Sequence, residues 1–261
     1  IELHGRAKSA EPLAVVPPSV ASTERLDALG IDYTAQPVSR MRAAIADRLT
    51  LSKSSVPHFY LERDCQVDKL KSYRQDLNDA LVSGDAARIS LNDLVVQSAA
   101  KALMDVPEAN VAWAGTQIIQ YREAAVSVAV SVDDGLMTPV IRQAHLKTTQ
   151  ALSEELAGLA TRARQGKLAS HDCQGGSMSV TNLGMYGVQR FQAIINPPES
   201  MILAVGEASQ RIIVGAQGQA ETASVMSVCL SCDHRVIDGT VGARWLQAFQ
   251  GYIENPVRLL L

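Results

Sequence analysis

Residues 231–239 have the sequence Ser231-Cys232-Asp233-His234-Arg235-Val236-Ile237-Asp238-Gly239. The apolar run before this segment (residues 225–231) predicts a strand, and residues 239–253 have the spacing of an amphipathic helix. His234 therefore follows a strand end, where active-site groups are often carried on loops. An imidazole titrates near neutral pH and can act as a general base, and Asp238 can orient the loop or the ring. Residue types alone leave an ordinary surface histidine as the alternative.

The elements predicted around this segment indicate a mixed sheet. Ser39 can cap a helix that carries Met41, Ile45 and Leu49 on one face. The segment Asp133-Asp134-Gly135, between apolar residues 126–132 and 136–141, predicts a hairpin whose Asp-Gly pair supplies the positive φ of a tight turn. Further strands are predicted over residues 58–65, 177–181, 201–205 and 212–214, and helices over residues 22–29, 68–81, 92–104 and 149–165. Helices mixed with hairpins and long crossings favour an α/β fold (two-layer α+β), a mixed β-sheet flanked by helices.

Composition limits the function classes. A net charge of −3 and an aromatic content of 4% argue against a nucleic-acid binder. No apolar run approaches the roughly 20 residues that span a bilayer. Four cysteines in a chain of 261 residues favour reduced thiols over a disulfide framework. Prolines in residues 1–38 predict a linker or extended arm before a catalytic domain at residues 39–261, and the start at Ile1 suggests a fragment with domains upstream.

The pattern Asp-His-Arg-x-x-Asp-Gly at residues 233–239 resembles the signature of the acyltransferase core of the 2-oxo acid dehydrogenase complexes, the dihydrolipoamide acyltransferases. Other segments resemble this family in the same order and spacing: residues 55–60, 106–110, 134–140, 179–187, 193–199 and 202–206. The resemblance covers about residues 39–261. Residues 181–187 with Val236-Ile237 look most like the acetyl-transferring members of pyruvate dehydrogenase complexes.

The resemblance implies roles for four residues. His234 would be the base that deprotonates the thiol of coenzyme A, and Thr181, where many relatives carry serine, would donate a hydroxyl to the oxyanion. Asp238 would hold the loop or the imidazole in place. Arg74 matches a family arginine near the nucleotide end of coenzyme A. The structural alternatives are a strand threonine at 181 and a solvated helix charge at 74.

The resemblance also implies an assembly. The family fold resembles chloramphenicol acetyltransferase and forms homotrimers with active sites between subunits, and trimers build a core of 24 or 60 chains. The partners would be a lipoyl domain, whose lipoyl-lysine lies outside this chain, and the 2-oxo acid decarboxylase/dehydrogenase and dihydrolipoamide dehydrogenase components. The location would be the bacterial cytoplasm or the mitochondrial matrix. The apolar residues 257–261 would form a contact between trimers or pack on their own domain.

Several other functions remain as alternatives. Cys229 and Cys232 with His234 or His171 could bind zinc, although no second matched pair is present. Residues 175–179 lack the closing glycine of a hydrolase nucleophile elbow, and no glycine-rich phosphate loop occurs. Antibiotic acetyltransferases tend to carry His-His-x-x-x-Asp-Gly, where this chain has Asp233. A branched-chain or other acyl specificity, or a non-catalytic scaffold of the same family, also remains open.

Overall fold

The computed structural model describes residues 21–81 and 88–261. Contacts divide the chain into two units with a boundary between Val38 and Ser39. In the described part of the first unit, α1 (Thr23–Ala28) is capped by Ser22, which confirms the predicted helical turn. The prediction of a linker over residues 1–38 falls partly outside the described residues and stays a prediction.

The second unit contains the helices and strands of a mixed α/β fold. The strands are β1 (His58–Gln66), β2 (Val111–Trp113), β3 (Ile118–Gln120), β4 (Val126–Val128), β5 (Val130–Val132), β6 (Gly135–Met137), β7 (Val140–Ile141), β8 (Met178–Asn182), β9 (Met201–Val214) and β10 (Ala220–Asp233). The helices are α2 (Arg40–Ser55), α3 (Asp68–Ala80), α4 (Leu91–Asp105), α5 (Thr149–Arg164) and α6 (Gly239–Glu254). No helix of the described residues is long and apolar enough to cross a membrane.

One six-stranded sheet organises this unit, in the order β1-β10-β9-β8-β4-β7. The β8 strand runs parallel to β4 and β9, and the other neighbours are antiparallel. The pairs β2–β3 and β5–β6 form two small additional sheets. The predicted mixed sheet flanked by helices is therefore confirmed.

The longest hairpin differs from its prediction. The apolar runs at residues 201–205 and 212–214 were expected to be separate strands, but they belong to the single strand β9, which pairs with β10. The polar residues Glu207, Gln210 and Arg211 interrupt the apolar pattern between them. Beyond Gly206 the strand becomes more exposed, so alternation and burial no longer mark it in the sequence.

The hairpin after residue 126 forms, and its turn is one residue shorter than the expected Asp133-Asp134-Gly135. Val132 pairs with Gly135, so Asp133 and Asp134 make the two-residue turn and Gly135 begins the returning strand. The hairpin is also divided, because β4 and β7 belong to the main sheet whereas β5 and β6 pair apart from it. The small hairpin β2–β3 was not predicted, since each of its strands has only three residues.

Helix α6 packs closely on the sheet and brings its first turn to β1. Gly242 has no side chain, and a Cβ at that position would lie 2.7 Å from Cδ1 of Leu61 and 3.8 Å from Cζ of Phe59. Trp245 and Phe249, both fully buried, stack at 5.5 Å in the core. The close approach fixes the start of α6 against the strand that neighbours β10.

The apolar residues predicted at the two ends of this unit, on α2 and at residues 257–261, are only partly buried. Ser39 caps α2, where Ile45 and Leu49 are half-buried while Met41 is exposed. At the C-terminus, Leu259 is buried in the chain's own core. The other apolar residues of that tail, Val257, Leu260 and Leu261, are exposed.

A buried carboxyl joins two strands of the sheet. Ser127 on β4 and Ser179 on β8 are register partners, and both hydroxyls donate hydrogen bonds to the carboxylate of Glu199. Burial raises the pKa of Glu199 to about 7 from an ordinary value of 4.5. The folded chain therefore holds a proton that the unfolded chain releases between these two pH values.

Replacing Glu199 with glutamine should remove a pH dependence of stability. The folded-state pKa exceeds the unfolded one, so the stability of the neutral carboxyl is complete at low pH and falls as pH rises through about 7. Between pH 5 and pH 8 the wild type should lose about 2.5 kcal/mol of unfolding free energy that Glu199→Gln retains. Urea titrations at both pH values measure this difference, with the exposed Glu154→Gln as control. Equal pH dependence in wild type and Glu199→Gln would contradict it.

Candidate active site

His234 is the first residue after β10, and its side chain is exposed. Its N–H donates to the carbonyl of Pro57 at 3.1 Å, which ties the turn to the residue just before β1. Its imidazole lies against Phe59, with 4.6 Å between the ring centroids. The backbone is thus fixed on one side while the ring stays accessible to a substrate.

Asp238 caps α6 at the other end of the same turn. Its Oδ1 accepts hydrogen bonds from the N–H of Val241 at 2.8 Å and from the hydroxyl of Thr240 at 2.7 Å. The Val241 N–H, followed by the Thr240 hydroxyl, lowers the pKa of Asp238 below its usual value. These contacts favour an acid that orients the loop through the helix rather than through the imidazole.

The sequence did not predict an ion pair between the two residues that flank His234. Asp233 and Arg235 form two parallel hydrogen bonds, and Arg235 lies over the ring of Trp113 at 5.3 Å. The alternation of acid, histidine and arginine could have suggested the pair. Trp113 is remote in sequence and belongs to the hairpin that was not predicted, so nothing local pointed to it.

A second histidine near the turn has a structural role. The Nε2 of His58 accepts the N–H of Ile195 at 3.1 Å, so its Nδ1 carries the proton that faces the carbonyl of Val56 at 2.8 Å. Both ring nitrogens are therefore used in holding residues before β1 and β9. This assignment of the tautomer follows from the hydrogen-bond partners.

Thr181 lies on β8 and is half-buried. The turn after it is shaped by Asn182, whose side chain accepts the N–H of Gly184 at 2.9 Å. A Cβ on Gly184 would meet the carbonyl oxygen of Gly206 at 2.8 Å, so a side chain there would push β8 from β9. Asn182 and Gly184 therefore shape the turn after β8, whatever the catalytic role of Thr181.

The register separates Thr181 from His234 within one chain. Thr181 pairs with Ala204 on β9, and Ala204 pairs with Cys229 on β10, five residues before His234. Two strand spacings and five residues along a strand amount to roughly 20 Å. A reacting carbonyl must lie about 3 Å from both the base-activated thiol and the oxyanion donor. One chain does not bring these two residues to one site.

Arg74 lies on α3, apart from the residues discussed above. It is half-buried and lines a hollow of about 290 Å³ with Asn78, Arg88 and Ser90. Its Nε is buried and has no hydrogen-bond partner within residues 21–81 and 88–261. The hollow therefore has two arginines and room for an anionic group.

The cysteines of the alternative zinc site do not converge. Cys229 and Cys232 are both buried on β10, and three residues along a strand turn their side chains to opposite faces. Among the described residues no group of three or more metal-binding side chains occurs. All four cysteines are free thiols.

The class of protein follows from the fold. A solved chloramphenicol acetyltransferase aligns over 79% of this chain and 94% of its own, with a TM-score of 0.50 at 11% identity. That likeness concerns the fold alone and confirms the prediction of a chloramphenicol acetyltransferase-like architecture. The family model of the 2-oxoacid dehydrogenases acyltransferase (catalytic domain) matches residues 31–261. The chain belongs to this family.

Individual relatives narrow the comparison. The dihydrolipoyllysine-residue acetyltransferase component of pyruvate dehydrogenase complex of Rickettsia bellii is 46% identical over 230 residues, 88% of this chain and 55% of that protein. The mitochondrial component of Caenorhabditis elegans is 45% identical over 257 residues, 97% of this chain and 51% of that protein. The cubic core of a pyruvate dehydrogenase multienzyme complex aligns with a TM-score of 0.88 and 27% identity, covering 94% of this chain and 100% of that one. The chain spans about half the length of these curated relatives.

Substitutions of Asp238 should separate its cap from its charge. Asparagine caps helices as well as aspartate does, so Asp238→Asn should retain acyl transfer within about threefold and keep the thermal midpoint. Asp238→Ala removes the acceptor of the Val241 N–H and should lower both the midpoint and the rate, the latter by about tenfold through misplacement of the turn. Thermal unfolding and steady-state rates on the same samples test this. A large rate loss in Asp238→Asn with an unchanged midpoint would instead indicate a role of the charge in catalysis.

Proposed function

We propose that the chain transfers an acetyl group between the dihydrolipoyl thiol of a lipoyl domain and coenzyme A, and that it forms the core of a pyruvate dehydrogenase complex. The observation that carries the proposal is the exposed His234 in the Asp-His-Arg-x-x-Asp-Gly turn after β10, in a member of this acyltransferase family. The named relatives, which are acetyltransferase components, support the acetyl specificity. The presence of His234 argues against a scaffold that only organises partners.

The chemistry requires a base and an acid at one position. His234 takes the proton of the coenzyme A thiol, because the thiolate is the nucleophile and a free thiol is mostly protonated at neutral pH. The sulfur attacks the thioester carbonyl of the acetyl-dihydrolipoyl group and a tetrahedral oxyanion forms. When the bond to the lipoyl sulfur breaks, the protonated His234 returns its proton to that sulfur. Atoms and charges balance with no further reactant.

The oxyanion donor comes from a neighbouring subunit. Thr181 of one chain supplies a hydroxyl to the oxygen that becomes negative near His234 of the next, and such donors typically lower the barrier by a few kcal/mol. The separation of roughly 20 Å between these residues in one chain supports this arrangement. The family resemblance makes this assembly a homotrimer with three shared sites. The similarity to the cubic core of a multienzyme complex supports assembly of such trimers into a larger core of 24 or 60 chains.

The nucleotide end of coenzyme A binds at the hollow beside α3. Arg74 and Arg88 line it, and arginine forks match phosphate oxygens. The Nε of Arg74 has no hydrogen-bond partner in the part of the chain that the structure describes, which supports an anion at this position. Asp79 also lines the hollow and would repel a phosphate, so both arginines are needed to offset its charge.

The remaining components act from outside this chain. The lipoyl-lysine arrives on a lipoyl domain, and the decarboxylase/dehydrogenase and dihydrolipoamide dehydrogenase components complete the cycle. Residues 1–38 connect the core to upstream domains, in keeping with the greater length of the relatives. The relatives include bacterial and mitochondrial proteins, which supports a bacterial cytoplasm or a mitochondrial matrix.

The first test is acetyl transfer from acetyl-coenzyme A to free dihydrolipoamide. The wild type should be active, and His234→Ala should lose at least about 100-fold, the usual size of a general-base effect. Succinyl- and isobutyryl-coenzyme A serve as competing donors and should turn over more slowly. Faster transfer from either would change the acyl group, and full activity of His234→Ala would eliminate the mechanism.

Mixing two inactive variants tests the shared site. Thr181→Val removes the hydroxyl with little change of shape and should lose about 100-fold or more. Subunits of His234→Ala and Thr181→Val, dissociated and reassembled together, should regain activity because some interfaces then pair a native His234 with a native Thr181. Reassembly of His234→Ala with the double variant lacks such an interface and is the control. Mixed trimers that fail to recover activity would contradict a site shared between subunits.

A further inference from the structure

We infer that Asp233 and Arg235 act as a clamp that positions His234, so that both are positioning residues of the acyl-transfer reaction. This inference rests on the proposed function for its kinetic consequence, but the clamp itself is a feature of the turn. Neither residue needs to touch a substrate. The three consecutive residues form one unit, in which the outer two are joined by their side chains and the middle one carries the base.

The acid of the clamp is buried and needs a cation. The side chain of Asp233 is 4% exposed, and a carboxylate at such a position is costly to bury without a charged partner. Arg235 supplies it through two parallel hydrogen bonds, Nε to Oδ1 at 2.9 Å and Nη2 to Oδ2 at 2.7 Å. The Oδ1 also accepts the backbone N–H of Arg235 at 3.0 Å. The carboxylate thereby fixes both the side chain and the backbone of residue 235.

The backbone of the same turn is held from three directions. The N–H of Asp233 donates to Ser200 at 2.9 Å, and its carbonyl accepts the N–H groups of Val236 at 3.2 Å and Ile237 at 3.0 Å. His234 donates its own N–H to Pro57 at 3.1 Å. Because the residues on both sides of His234 are held, the direction of its Cα–Cβ bond relative to β1 is fixed. A displacement of about 1 Å in a catalytic group can cost about 100-fold in rate.

The cation of the clamp is held on its other face by an aromatic ring. The guanidinium of Arg235 lies 5.3 Å from the centroid of Trp113, the last residue of β2. The β2 strand is joined to the same region through the hydroxyl of Ser200, which donates to the carbonyl of Val111 at 2.5 Å. The hairpin β2–β3 therefore supports the His234 turn through Trp113, and its short strands have a role in the site.

A direct contact of Arg235 with a substrate phosphate is the competing explanation. The side chain is 30% exposed, but its Nε and Nη2 both face Asp233. A phosphate contact would raise KM for coenzyme A with little effect on kcat, because it would act on ground state and transition state alike. A clamp acts on the base and lowers kcat with KM unchanged.

Steady-state kinetics of acetyl transfer with Arg235→Gln, Asp233→Asn and the double variant test the clamp. Each single variant should lose about 10- to 100-fold in kcat, with KM for both substrates within about twofold of wild type. The double variant should be no slower than the slower single one, because the two residues act as one unit. Arg235→Lys should recover part of kcat, since lysine keeps the charge but not the fork. Arg162→Gln on α5, which breaks the 3.0 Å pair with Asp172, is the matched control and should keep kcat.

Amide hydrogen exchange gives a readout that does not depend on the proposed activity. In Arg235→Gln the N–H groups of residues 234, 236 and 237 should exchange at least several-fold faster, while Arg162→Gln leaves them unchanged. A raised KM for coenzyme A, losses that multiply in the double variant, or unchanged kcat would overturn the clamp, as would unchanged exchange. An inactive wild type with faster exchange in Arg235→Gln would reject the acyl-transfer function and keep the clamp. If Arg235→Gln fails to assemble, two variants of Trp113 test the clamp instead. Trp113→Phe keeps a ring below the guanidinium and should keep kcat, whereas Trp113→Leu removes the ring and should lower kcat.

Discussion

The pairing of β10 with β1 on one side and β9 on the other is the constraint on which the candidate site depends. From Ala223 to Asp233 every residue of β10 is buried, and a one-residue shift would exchange the core residues Met226, Val228 and Leu230 with the polar residues of the other face. The register therefore determines where β10 ends, and His234 follows at that point. Gly242 and its close approach to Leu61 then determine where α6 begins. The turn that carries His234 is thus placed at both ends by packing, and its own residues Asp233, Arg235 and Asp238 hold it there.

The sequence could predict the elements with clear periodicity and strong boundary signals. Ser39 and the apolar spacing of α2 gave its start, and the glycine after α5 has the positive φ of 66° that ends a helix. The joining of residues 201–214 into one strand could not be predicted. Residues 207–211 are mostly polar, so the alternation of apolar and polar residues that marks a strand is lost there. The turn of the β5–β6 hairpin depends on a pairing register, which the dipeptide Asp-Gly does not specify alone. Short strands such as β2 have too few residues to form a pattern.

The candidate site was predictable in its chemistry but not in its geometry. The motif around His234 and the family resemblance indicated the residues, whereas the distance between Thr181 and His234 depends on strand order. Two intervening strand spacings exist only because β9 lies between β8 and β10. If the site is shared between subunits, activity requires the assembled trimer, and a loss of trimer stability is also a loss of activity. Substitutions at the interface would change rate without touching either residue.

Two acids of the same turn have opposite environments, and this difference explains how a single histidine can be both held and accessible. Asp233 is buried and neutralised by Arg235, so its negative charge contributes little at the ring. Asp238 is exposed and stays ionised, because the N–H of Val241 and then the hydroxyl of Thr240 hold its pKa below the usual value. Directing both acids to other partners fixes the turn while leaving the imidazole free to take a thiol proton.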